Sequence, residues 1–155
     1  MSAIAYRFKC ADCKTEFEAP EVPEMSYGIF VMRNKVSNEA VFLDALNDPA
    51  FKESTELVER NPQFADRVSK SRGAAQQTVF SITCDKTREG ASFEIGVFPV
   101  CPACGSRDMK SYRPAVPIRD WPLPVVTHKL WETKSASEKT AAINEAIRRF
   151  YEKGV

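Results

Sequence analysis

The sequence has a single histidine, His128, in 155 residues, and that scarcity removes any catalytic metal centre built from several imidazoles. No apolar run approaches the roughly 20 residues that cross a bilayer. The longest candidate, Tyr27 to Met32, is strand-sized, so no membrane partner is expected. The opening stretch MSAIAYRFKC lacks a long apolar segment before its first cysteine, which argues against a secretory leader and for a cytoplasmic location. Also missing are G-x-x-x-x-G-K-S/T, G-x-G-x-x-G, H-E-x-x-H and G-x-S-x-G. These absences withhold the usual phosphate loop, dinucleotide turn, zinc-protease helix and nucleophile elbow. An excess of one charge is lacking as well: the formal net charge is +1.

That balance conceals a segregation. Residues 14–66 carry 11 acidic and 5 basic side chains, whereas residues 67–155 carry 15 basic and 9 acidic. An acidic middle and a basic second half give two faces for partners of opposite charge. With 43% hydrophobic and 28% charged residues, the chain can build a core, and wholesale disorder is not expected.

The five cysteines carry the strongest signal. Four form two C-x-x-C pairs, Cys10-Ala-Asp-Cys13 and Cys101-Pro-Ala-Cys104, and each pair supplies half of a tetrahedral sulfur site. Each is flanked by strand-like sequence. Ile4, Tyr6, Phe8 and Cys10 share one parity and Thr15 to Glu18 returns after the first turn; Phe93 to Val97 leads into the second turn and Met109 to Tyr112 out of it. Strand, knuckle, strand, twice over, is the pattern of a zinc ribbon. The two halves stand 87 residues apart. Closing such a loop costs about 4 kcal/mol, against roughly 10–16 kcal/mol for a structural zinc ion in small peptides. Two disulfides, a thiol redox pair or unrelated cysteines are the competing readings. The paired spacing favours one four-cysteine site: Cys10, Cys13, Cys101 and Cys104 around one zinc ion per chain, with iron as the alternative.

Ala5 to Cys13 with Phe17-Glu18, and later Cys101 to Ser106, resemble the two halves of an FmdB-type regulatory zinc ribbon. They are also similar to rubredoxin-like ribbons, which hold iron in the same paired knuckles. The resemblance implies a regulatory zinc-binding module or a one-electron iron carrier. It leaves the centre and the C-terminal part unmatched. Lys14 stands where the first knuckle of these families usually has glycine.

The expected fold class is therefore α+β: a split zinc ribbon of β-hairpins with a long helical and strand insertion and a C-terminal helix. The ribbon occupies residues 1–113, interrupted at about 25–90; a Pro-rich extended arm covers 114–134, and an amphipathic helix 135–155. Within the insertion, Tyr27 to Met32 reads as a buried strand, and Ser37 as the cap of a helix bearing Val41, Phe42, Ala45 and Leu46. Asp48-Pro49 and Asn61-Pro62 each read as an N-cap followed by a first-turn proline. They open helices bearing Phe51, Leu57 and Val58, then Phe64, Ala65 and Val68, the second ending near Gly73. Thr78 to Cys84 and Ser92 to Phe98 read as a hairpin. Ser135 and Glu138 form a capping box for a helix with Ile143, Ala146, Ile147 and Phe150 on one face. The arm and this helix can pack on their own chain or pair two chains as a homodimer.

No enzyme is expected, since four thiolates leave zinc no open position for water. Cys84 reads as a buried strand cysteine and His128 as a surface or core residue with no special role, so no Cys84–His128 dyad is expected. Glu53, Glu56 and Glu59 read as a solvated helix face. Arg107, Lys110, Tyr112, Arg113, Arg119 and Trp121, with Lys129 and Trp131 beyond, alternate cations and aromatics as nucleic-acid grooves do. The leading expectation is a zinc-binding regulatory module for nucleic acid or a nucleic-acid-associated machine. The alternative is a protein–protein adaptor or inhibitor, of the sort mobile elements carry, acting through the acidic helices.

Overall fold

A computed structural model describes residues 2–66 and 69–153, with the side chains of 69–71 left aside. It contains two three-stranded antiparallel sheets and five α-helices among the described residues. The first sheet has β1 (Ile4–Cys10) at its centre, between β2 (Glu16–Glu21) and β6 (Met109–Pro114). The expected parity holds: Ile4, Tyr6, Phe8 and Cys10 are buried. Ala3 and Ala5 are buried too, because the arm covers the reverse of β1. Ala5 N–H donates to Arg119 O (3.0 Å), Ala115 N–H to Ala5 O (3.0 Å) and Trp121 N–H to Ala3 O (2.9 Å).

The second sheet orders β4 (Ala40–Asp44), β3 (Ile29–Arg33) and the two-residue β5 (Glu94–Ile95). Here the structure corrects the expected helix after Ser37. Val41, Phe42 and Leu43 pair with Val31, Phe30 and their neighbours on β3, since a β-branched and aromatic run beside a ready partner strand gains more as a hairpin. The turn is fixed by buried Asn34, whose Oδ1 accepts from Val36 N–H (2.9 Å) and Ser37 N–H (2.7 Å). Ala45–Asn47 continue as a single 3₁₀ turn, and Leu46 closes over Gly28. A side chain at Gly28 would place its Cβ 2.6 Å from Leu46 Cγ, on a backbone with φ +75°.

Helices α1 (Pro49–Glu59) and α2 (Pro62–Ala65) open as expected: Asp48 accepts from Phe51 N–H and Asn61 from Phe64 N–H, both at 3.0 Å. Val68 lies outside the described residues. The expected hairpin strand at Thr78 to Cys84 is absent. Helix α3 (Ser69–Phe80) runs through Gly73 to Phe80, and Ser81–Thr83 add a 3₁₀ turn. Ala75 and Val79, one helical turn apart, are both buried, which is the helical period and not the alternating one. Ser92 to Phe98 contributes only β5, paired with β3.

The arm is stitched into its own chain. Phe42 N–H donates to Pro124 O (2.8 Å) and Val126 N–H to Phe42 O (3.0 Å), so it passes from the first sheet to the edge of the second. It then turns into a short helix the sequence reading missed, α4 (Lys129–Glu132), whose first turn is held by the Asp85 carboxylate. Helix α5 (Ala136–Glu152) carries the expected capping box and buries Ile143 and Ile147, together with Tyr151. The helices share one core with Ala50, Val58, Phe64 and Trp131.

Candidate metal centre

β1 delivers Cys10 at its last residue, and the chain turns at once. Lys14 N–H donates to Cys10 O (3.1 Å) and Cys10 N–H to Thr15 O (3.0 Å). The second knuckle repeats both bonds: Gly105 N–H to Cys101 O (2.9 Å) and Cys101 N–H to Ser106 O (2.8 Å). Lys14 and Gly105 hold the same left-handed conformation, at φ 64° and φ 77°. The glycine position of one knuckle is thus a lysine in the other, strained but retained, and its Nζ caps Ala11 O.

Three contacts bring the knuckles together. β6 pairs with β1 up to Met109 opposite Cys10, across a bulge, and Ala11 N–H donates to Asp108 O (2.8 Å). The insertion grips the approach to the second knuckle. Val100 N–H donates to Asn38 Oδ1 (2.8 Å), and Arg107 donates to Phe98 O (2.7 Å), Asn34 O (3.1 Å) and Ser37 O (3.3 Å). Buried Arg33 ties the two sheets, donating to Val97 O (3.0 Å), Pro20 O and Glu21, with its guanidinium 5.9 Å from the Phe8 ring centre.

The result is one sulfur cluster. All four Sγ atoms lie within 4.8 Å of one another, with Cys10–Cys104 at 3.5 Å and Cys13–Cys101 at 3.6 Å. Bonds of ~2.3 Å from a central ion to four sulfurs require tetrahedron edges of about 3.8 Å. A disulfide would need ~2.05 Å. The cluster fits a tetrahedral cation. Cys10 and Cys101 are buried, whereas Cys13 and Cys104 face solvent, so the ion would be shielded on one side only. The thiols also behave as a set short of positive charge. Hydrogen bonds from the Thr15 hydroxyl and backbone bring Cys13 down to about 6. Cys104 receives the Ser106 N–H, yet the crowding of Cys10, Cys13 and Cys101 pushes it up to about 12. A bound cation would offset the mutual repulsion of thiolates this close together.

The six residues expected on a nucleic-acid surface do not converge. Arg107 is spent on three backbone carbonyls, and Arg119 pairs with Glu18 at 2.5 Å. Trp121 is half-buried against the arm's path. Lys110, Tyr112 and Arg113 remain exposed along β6, with the register placing Tyr112 opposite Phe8 and Arg113 opposite Arg7 on the reverse face. Tyr112 stacks on Phe8 (5.6 Å) and meets Phe98 (5.6 Å).

Two other expectations change. Glu53 is not simply solvated: it accepts from Trp131 Nε1 (2.7 Å) and Lys139 Nζ (3.0 Å). His128 has a definite role in the core. Its Nε2 faces Asp48 Oδ2 at 2.7 Å and its Nδ1 faces Thr83 O at 2.9 Å, two acceptors that demand two donated protons. Burial alone would lower the pKa of His128, but the Asp48 carboxylate, with hydrogen bonds to the Cys84 sulfur and Thr83 O, reverses this and raises it to about 10. The Cys84 sulfur lies within hydrogen-bonding reach of the same ring and rests 3.9 Å from Phe80 O. A sequence signal for Thr15 and Ser106 existed: both knuckles read C-x-x-C-x-S/T. None announced Arg33 or the Asp48–His128 pair, which join residues 80 positions apart.

No protein-family model matches this chain, and no curated protein or solved structure shows significant similarity to it. What defines its class is the described geometry: a mixed α/β fold with a four-cysteine cluster able to hold a metal ion. Among the described residues no helix is long and apolar enough to cross a membrane.

Proposed function

We propose that this protein is a non-catalytic interaction module whose four cysteines hold one structural zinc ion. The observation that carries the reading is the cluster itself, with four sulfurs at near-tetrahedral spacing on two knuckles of identical hydrogen-bonding pattern. Four thiolates complete the sphere of zinc, which suits a clamp and leaves no site for an activated water. Cys10, Cys13, Cys101 and Cys104 would bind the ion, and it would supply the charge that lets their thiolates coexist. The regulatory role implied by the ribbon resemblance belongs to the same reading. Protein purified without added metal should contain one zinc per chain and be colourless. Iron with strong visible absorption would replace this reading with electron transfer, and metal-free protein would end it.

For the partner, the exposed strip of β6 supports nucleic acid. Tyr112 offers an exposed ring beside Lys110, and Arg113, with no ion pair among the described residues, adds a cation on the reverse face of the same strand. Single-stranded oligonucleotide binding should weaken in Lys110→Ala and Arg113→Ala, each with a shallower salt dependence. Affinity that is indifferent to salt would exclude this surface.

A further inference from the structure

The helical end of the molecule carries an open groove, about 470 Å³ in volume, between the α3–Thr83 segment and α5. Its accessible floor is apolar, formed by Ile82, Ala142, Ala146 and Phe150 over the buried Val79 and Trp131. Ile82 is 40% exposed although its neighbours Phe80 and Thr83 are buried. The rim is cationic, formed by Lys134, Arg149 and Lys153 against one carboxylate, Glu145. That carboxylate is already shared by Arg148 (2.5 Å) and Arg149 (3.0 Å), and Arg148 also holds Glu152. Lys134 and Lys153 have no ion-pair partner among the described residues, so the groove presents a net positive edge.

We infer that this groove is a docking site for an acidic amphipathic helix of a partner protein. An apolar floor between two helices takes the apolar stripe of a third helix, and Lys153 with Lys134, whose charge Glu138 offsets only at longer range, complements carboxylates on its flanks. The groove is partly open to solvent, whereas a fatty acid or similar ligand needs enclosure over most of its surface. A second copy does not supply the occupant: the acidic helix of this chain, α1, already turns Val58 and Ala50 into its own core. The inference is independent of the zinc reading, since no ribbon residue lines the groove.

The test uses the metal-loaded full chain and fluorescein-labelled peptides of about 16 residues, long enough to hold a helix. One peptide carries a leucine stripe flanked by glutamate, the other the same stripe flanked by lysine. The glutamate peptide should bind saturably and at least about tenfold tighter than the lysine peptide, with affinity falling as salt rises. Lys134→Glu with Lys153→Glu should invert that preference, and Ile82→Glu should abolish binding of the glutamate peptide, while all variants keep the parent's melting behaviour. Backbone amide shifts should map to Ile82, Ala146 and Phe150 and spare the ribbon. Equal binding of both peptides, no saturable binding below millimolar concentration, or a preference unmoved by the charge reversals would overturn the proposal. Occupation of the groove by oleate with no peptide binding would overturn it in favour of a lipid site.

Discussion

The sheet that carries the cysteines, the ribbon of the sequence expectation, and the helical body differ in what they bury. The helical body buries nine residues in one apolar cluster, with Trp131, Ile143 and Ile147 at its centre, and caps its helices with Asp48, Asn61 and Ser135. The ribbon buries four residues in its own cluster, Ile4, Tyr6, Phe8 and Ala19, and places its second knuckle in coil held by Asn38 and Arg107. A patch that small does not hold two knuckles shut against four crowded sulfurs. Under the proposed function this region would draw its stability from the ion, whereas the body relies on burial.

The sharpest way to break that contrast is to remove the metal. Chelation, or Cys101→Ser, should abolish stoichiometric metal binding and release amide protection in β1, β2 and β6 by orders of magnitude. Protection in α1 and α5 should persist. Hydrogen exchange read by mass spectrometry tests this, and uniform loss across both regions would show that the body leans on the ribbon after all.

The next largest effect belongs to the Asp48–His128 pair. His128→Gln leaves a buried carboxylate without its counter-charge and should cost about 3–5 kcal/mol in denaturant melts. The pair also sets a pH window. His128 is raised to about 10 when folded, so its contribution is whole below the unfolded value near 6.5 and is lost as pH climbs through 10. Asp48 is held below the usual carboxylate value by the same contact, so its share is lost on acidification below about 4. A stability curve flat from neutral pH to pH 10 in the parent, or unchanged in His128→Gln, would refute the imidazolium assignment.

Smaller changes refine each region separately. Ser135→Ala removes one half of the α5 capping box and should cost about 1 kcal/mol in the body, leaving metal affinity untouched. Lys14→Gly should act on the ribbon in the opposite sense. It relieves a left-handed non-glycine residue and should gain about 0.5–1 kcal/mol, read as slower metal loss to a competing chelator.

Much of this layout was legible in local sequence. Paired cysteines, the Ile4-Tyr6-Phe8-Cys10 parity, the two Asx-Pro openings and the Ser135–Glu138 box each act within a few residues, and the structure follows them. The errors came where a pattern had two solutions. Val41, Phe42, Ala45 and Leu46 satisfy a helical face, yet Val41 to Leu43 also satisfy a strand, and β3 decided between them. Thr78 to Cys84 looks β-prone, but the alanines and glutamines before it had already committed the chain to a helix. Of the candidate metal centre, the four cysteines that cluster were readable and the scaffold that brings them together was not. Arg33, Asn38 and Arg107 act over distances of 9 to 73 positions, where no spacing rule applies.

The separation of the knuckles has a consequence for biosynthesis. β1 is the middle strand of its sheet and the first strand made, but its partner β6 and the other two sulfurs follow about 94 positions later in the chain. At roughly 5–20 residues per second, the nascent hairpin waits on the order of 5–20 s with two reduced thiols and one unpaired edge. Everything between must be made, and β3 and β4 must pair, before Asn38 can seat the second knuckle. Closure of the four-sulfur cluster is then the last event of synthesis, so a ribosome that stalls before Cys104 leaves half a cluster and an uncovered strand, and any metal ion the site takes would enter only after that point.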